Sequence, residues 1–249
     1  MKQTRILMGM PVTVEVIDAN ATPSTLDAIY DYFHYIDEKF STYKANSEIS
    51  RINQGLLSVK RSSADMQTVF ELSEQTRRQT NGYFNIEQNG LYDPSGLVKG
   101  WAIYNATELL RKQGFENYYV DAGGDVQLAG HNEHGETWRI GIRNPFNISQ
   151  IVKVLSLTNQ GIATSGNYIR GDHIYNPFGE IVSDIVSLTV IGPNVYEADR
   201  FATAAFAMGR SGIEFIARLD GFEAYMIDES GQATFTSGFD RYIIHDKGN

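Results

Sequence analysis

Helical periodicity fills most of the first 112 residues of this chain, and strand periodicity dominates from Asn117 onward, with no regular strand–helix alternation. That segregation argues against a doubly wound parallel sheet and predicts an α+β fold, with helices early and mostly antiparallel sheet later. Residues 10–17 alternate as a first strand, and Pro23 opens a helix where its missing N–H costs nothing. Leu26, Ile29, Tyr30, Phe33, Ile36 and Phe40 then recur along one helical face. Ser47-Glu48 starts a short helix. A longer one runs from about Ser63 to Gln79, burying Met66, Val69, Phe70 and Leu72 and stopping at Asn81-Gly82. After a loop, a third long helix spans about Gly96 to Lys112, closed by Gly114. YYVDAGGDVQLAG reads as strand, Gly-rich turn and strand. TWRIGIR, IVKVLSL, GIATSGNYIR and IVSLTVIG extend the sheet. A helix from Glu197, another over Gly212 to Leu219 and the strands EAYMID and QATFTS finish the chain. With no repeat and no low-complexity linker, residues 1–249 are expected to form a single domain.

No helix follows Gly123-Gly124-Asp125, so the Gly-rich turn is not a dinucleotide fingerprint. The net charge of −9 argues against nucleic acid or an anionic membrane as a partner. The absence of cysteine removes disulfides, thiolate metal sites and a catalytic thiol, and a lipoprotein-type anchor is not expected on the sequence as it stands. The start, MKQTRILMGMPVTVEV, lacks the apolar core of a signal peptide, and no run reaches membrane-spanning length. A cytoplasmic protein is expected as the sequence stands; an exported protein with its leader removed reads the same way.

Asp199 and Thr203 lie one turn apart on one face of the helix that follows Gly192-Pro193-Asn194. Two readings are open. As paired oxygen donors facing a pocket they suit Mg2+ or Ca2+ rather than zinc; as structural groups, Asp199 favours the positive helix end and Thr203 bonds to the preceding turn. Five other segments carry more polar residues and glycine than a core needs. They are Met8-Gly9-Met10, Asn81-Gly82-Tyr83-Phe84-Asn85, Asp93-Pro94-Ser95-Gly96-Leu97-Val98-Lys99-Gly100, Gly161 to Tyr168, and His173 to Gly179. Lys99, placed in the first turn of the third long helix, either reinforces an anion site at that helix start or is a surface lysine. A lone histidine such as His173 is a structural residue or a base, and no Ser-His-Asp order or paired histidine spacing supports a hydrolase or a zinc site.

In their order along the chain, MGM, FSTYKANSEISRIN, NGYFN, DPSGLVKG, VDAGGDVQLAG, ATSGNY, HIYNPFGE and LTVIG with EADRFATAAFAMG resemble the ApbE-type FAD:protein FMN transferases. The resemblance covers nearly the whole chain. It implies an enzyme of that fold that uses Mg2+ to split FAD, joins FMN to a threonine or serine hydroxyl of an acceptor flavoprotein subunit of a redox complex, and releases AMP. It further implies Asp199, Thr203 and a carbonyl at Gly96 as metal ligands. Met8, Tyr43, Tyr83, Phe84, Asn85, Asp93, Lys99 and Ile174 are implied to line the FAD site, and His173 to be the base for the acceptor hydroxyl. Asn85 stands where the family typically has aspartate, Tyr104 replaces a frequent acidic residue, and the segment between Asn85 and Asp93 is short. The Asn85 change and the short segment keep open a protein that binds FAD without transfer; a further alternative is an FAD pyrophosphatase giving FMN and AMP, in which the same site lacks a productive acceptor.

Overall fold

The computed structural model describes residues 1–167, 176–179 and 182–245. Among these residues, eight strands form one antiparallel sheet in the order β1 (Lys2–Leu7), β2 (Met10–Val16), β5 (Tyr118–Ala122), β6 (Asp125–Ala129), β9 (Gly161–Gly166), β10 (Ile185–Gly192), β11 (Glu223–Asp228) and β12 (Ala233–Phe235). Two separate ribbons pair β3 (Glu87–Gln88) with β4 (Leu91–Tyr92), and β7 (Trp138–Asn144) with β8 (Asn147–Leu157). The helices are α1 (Pro23–Phe40), α2 (Glu48–Asn53), α3 (Ala64–Gln79), α4 (Ser95–Lys112), α5 (Val195–Ala207) and α6 (Gly212–Ala217).

Both faces of the sheet are covered. On one, Val12, Val14, Val16, Tyr118, Val120 and Ala122 pack with the inward stripes of α1 and α4, while Leu188, Val190 and Ala224 pack with α5. On the other, Val126, Leu128, Ile162 and Ile191 meet Trp138, Ile140, Ile142, Leu155 and Leu157 of the β7–β8 ribbon. Period-two alternation in β2 and β7 produces this sorting directly, because successive side chains point to opposite faces. Central β10 is buried on both faces, so alternation is weak there and the strand reads as a continuous apolar run.

Several boundaries differ from the sequence reading. β1 precedes the expected first strand and pairs with it through a turn at Met8 (φ 52°) and Gly9 (φ 72°). KQTRIL is a mostly exposed edge strand and so carries no apolar alternation. The segment expected as a plain loop contains the β3–β4 hairpin, closed by Asn89-Gly90, both left-handed. Phe70 and Leu72 are half-buried rather than core residues, and α6 stops at Ala217. α5 begins two residues earlier than expected, because the side chain of Asn194 accepts from the Glu197 N–H at 2.9 Å and caps it. We expect Asn194→Ala to cost about 1 kcal/mol, read as a lower urea midpoint at unchanged slope.

Candidate active site

The N-terminal half of α4 crosses α5, and Gly96 and Gly100 are the residues that let the two helices touch. A Cβ on Gly100 would fall 2.5 Å from Asp199 Cβ and 2.7 Å from the Val195 carbonyl oxygen; one on Gly96 would fall 2.9 Å from Thr203 Cγ2. This close approach turns Asp199 and Thr203 toward α4. The Gly100 N–H donates to Asp199 Oδ2 at 2.7 Å, and the Thr203 hydroxyl donates to the Gly96 carbonyl at 3.1 Å. Thr203 therefore does not bond back to its own preceding turn. The carbonyl expected near that helix face is the one that meets it.

Lys99 stands one turn into α4, not in its first turn, since the helix starts at Ser95. Its ammonium lies 2.7 Å from Asp125 Oδ2 and 3.9 Å from Asp199 Oδ1. That placement sets a cation between two buried carboxylates and accounts for a lysine near the positive end of a helix. Asp125, 1% exposed, is the site residue that the sequence reading overlooked. Its Oδ1 accepts the Thr164 N–H at 3.0 Å, whereas Oδ2, although close to Lys99, receives no well-angled hydrogen bond. We regard the Lys99–Asp125 contact as an ion pair made through charge rather than a directed bond. The available signal was an acid at the first position of a strand after Gly-Gly, where a turn residue is the ordinary expectation. Thr164 also shares a hydroxyl contact of 2.9 Å with Thr189 on β10.

Burial pushes the Asp199 carboxyl up to about 7; Lys99 and the Gly100 N–H oppose the rise, and Asp125 adds to it. Between the ordinary carboxylate range and neutrality the folded state thus favours a proton on Asp199 that the unfolded chain, with its ordinary value of 3.8, gives up. Stability from this group is full below about pH 4 and is lost as pH rises through about 7. We expect the melting temperature of Asp199→Asn to respond less to pH across that window than the parent's; parallel profiles would contradict it.

The remaining expected residues are placed as follows. Met8 sits half-buried at the β1–β2 turn, packed against the core, and Tyr43 is 99% exposed beyond α1. In the turn leaving α3, Tyr83 is half-buried and meets Phe178 edge-on at 5.0 Å. Asn85 is exposed, and its Oδ1 accepts from the Glu87 N–H at 3.0 Å. Phe84 is 2% exposed, and its ring lies beside Gly96 within the core, so it cannot offer an open face for stacking. Asp93 is exposed, its Oδ1 accepting from the Ser95 N–H at the start of α4. His173 and Ile174 lie outside the described residues. The structure therefore brings Gly96, Lys99, Asp199 and Thr203 together and adds Asp125. It sets Phe84 directly behind Gly96.

Among the described residues no three His, Cys, Asp or Glu side chains form a metal-holding group, so any cation here depends on the hydroxyl and carbonyl as well as on carboxylate. No helix among these residues is long and apolar enough to cross a membrane.

The ApbE family profile matches residues 8–93 and 87–226. An FAD:protein FMN transferase of Escherichia coli is 29% identical over 180 residues, covering 66% of this chain and 51% of the relative. One from Salmonella typhimurium is 28% identical over 169 residues, covering 62% and 48%. The chain thus spans about half the length of these curated relatives. The flavin transferase ApbE structure from Vibrio cholerae superposes with a TM-score of 0.84 at 25% identity, covering 97% of this chain and 98% of that one. An ApbE protein of Thermotoga maritima shares the fold at TM-score 0.86 and 20% identity. On the extent of the matched sequence and the shared fold, the chain belongs to the ApbE family.

Proposed function

We propose that this chain, acting as one domain, is a Mg2+-dependent FAD:protein FMN transferase. The observation that carries the reading is the convergence of Lys99, Asp125, Asp199, Thr203 and the Gly96 carbonyl where α4 crosses α5, in a member of this family. The donors fit the ion. Adjacent oxygens of a Mg2+ octahedron stand about 3 Å apart, and Thr203 Oγ1 and the Gly96 oxygen are separated by 3.1 Å. Oxygen donors alone also match its hardness. Asp199, Thr203 and the Gly96 carbonyl would hold the cation, which when bound neutralises charge developing on the phosphoryl oxygens.

In this reading the acceptor's threonine or serine oxygen attacks the FMN phosphorus of FAD. The P–O bond to the adenylate phosphate breaks, and AMP leaves. The acceptor proton passes to a base, a role that the family resemblance gives to His173. Lys99, held in place by its ion pair with Asp125, stabilises the pyrophosphate as negative charge grows on it. Tyr43 and Tyr83 offer rings to the flavin or adenine, Phe84 supports Gly96 from behind, and Met8, Asn85, Asp93 and Ile174 complete the FAD-site wall. The partner is an acceptor flavoprotein subunit of a redox complex.

The test is incubation with FAD, Mg2+ and a candidate acceptor domain, followed by intact-mass measurement of the acceptor and chromatography of the nucleotides. We expect an acceptor heavier by one FMN moiety, with AMP formed in equal amount and no reaction under chelation. Free FMN and AMP with an unmodified acceptor would identify a pyrophosphatase. Intact FAD retained by the protein would identify a binding protein.

A further inference from the structure

Arg200 is a buried cation to which the chemistry above gives no task. It follows Asp199 on α5, is 4% exposed, and is surrounded by partners that belong to two different helices. On its own helix, Nε donates to Glu197 Oε2 at 2.9 Å, and Nη2 donates to the same oxygen. Across the interface, Nη1 donates to Thr76 Oγ1 at 3.1 Å and to Gln79 Oε1 at 2.5 Å, both on the last turn of α3. The guanidinium also lies over the Phe201 ring at 4.0 Å and near the Tyr196 ring at 5.3 Å. A planar, permanently charged group with five donors is suited to such a divided set of acceptors, and a lysine ammonium is not.

The last turn of α3 leads straight into the Tyr83-Phe84-Asn85 turn. Thr80 hands the connection on: its hydroxyl donates to the Thr76 carbonyl at 2.8 Å and accepts the Phe84 N–H at 3.0 Å. Phe84 in turn packs beside Gly96. Asp199 and Thr203, by contrast, are held to α4 by the Gly100 and Gly96 bonds, in which Arg200 takes no part. Among the bonds of helix α5, those of Asp199 and Thr203 tie it to α4 and set the carboxylate and hydroxyl, whereas those of Arg200 tie it to α3, which carries the aromatic turn.

We infer that Arg200 is a positioning residue that registers the Tyr83-Phe84-Asn85 turn against Asp199 and Thr203, and so governs FAD affinity rather than the phosphoryl-transfer step. The inference rests on the flavin transferase reading for its functional half. Its mechanical half follows from the hydrogen bonds alone.

Three variants test it in the full chain: Arg200→Met, Arg200→Lys and Gln79→Ala. The last removes an acceptor from an exposed position on α3, leaves Arg200 in place, and so guards against a variant that fails to fold. Hydrogen exchange reads the link without reference to activity. The Phe84 amide is expected to lose protection in Arg200→Met and Gln79→Ala, while the Gly100 amide, bonded to Asp199, keeps its own. In the transfer assay, Arg200→Met is expected to raise KM for FAD by about tenfold, the worth of roughly one hydrogen bond to a charged group. Its kcat and half-saturating Mg2+ should stay within about twofold, the pattern of lost binding common to ground and transition states. Arg200→Lys should recover part of the KM. A folded Arg200→Met with unchanged KM and an unchanged Phe84 amide overturns the inference, as does a loss confined to kcat. If the parent protein itself neither binds nor consumes FAD, the functional reading fails, and exchange at Phe84 alone then decides the mechanical link.

Discussion

Replacing Asp199 by alanine is expected to lower FMN transfer about a thousandfold, equivalent to about 4 kcal/mol of transition-state stabilisation, while FAD binding weakens only several-fold. The asymmetry follows from what Asp199 touches. Its Oδ2 holds the Gly100 N–H and its Oδ1 faces Lys99, so in the proposed mechanism removing it strips charge from the point where a cation would be held. The groups assigned to the FAD rings sit elsewhere, on the turn after α3 and beyond α1. Asp199→Asn, which preserves volume and an acceptor for Gly100, separates charge from shape and is expected to lose nearly as much. Rates measured at saturating FAD over a series of Mg2+ concentrations decide the matter. Full transfer by Asp199→Ala would remove the metal assignment.

Gly100→Ala is expected to be the most damaging single-methyl change at this site. Its Cβ would overlap Asp199 Cβ at 2.5 Å and the Val195 carbonyl at 2.7 Å, neither of which is the free end of a flexible side chain. The two helices would have to separate, at a cost of about 3 kcal/mol, and the Gly100–Asp199 and Thr203–Gly96 bonds would stretch together. A lower urea midpoint and a fall in transfer of about a hundredfold, corresponding to roughly 2.7 kcal/mol, are the expected measurements. A variant of parental stability would show that the α4–α5 crossing has slack that the packing here denies it.

The elements with strong periodicity were readable from the sequence. The α1 stripe from Leu26 to Phe40, the caps at Ser47 and Ser63, the alternation of Val12, Val14 and Val16, and the stop at Asn81-Gly82 are local signals, each needing only neighbours a few residues away. β1 and the β3–β4 hairpin were not readable as strands, because exposed edge strands bury too little to impose a pattern. Phe84 was expected to line the FAD site, and only packing against α4 showed its ring enclosed.

Asp199 and Thr203 show where the two kinds of information divide. Their four-residue spacing places them on one helix face whatever the fold, and the sequence by itself determined that much. Whether the face meets a carbonyl, a lysine or solvent depends on residues about a hundred positions away, and no local pattern encodes such a separation. Tertiary structure decided it through two glycines on α4 that admit α5 at contact distance. It added Asp125, whose carboxylate reaches Lys99 because β6 packs against both α4 and α5. It also left Arg200, one residue from Asp199 and on another side of the same helix, facing α3. A helix presents successive residues about 100° apart, so adjacent positions in sequence were bound to meet different neighbours, and only the packing of α3, α4 and α5 decides which.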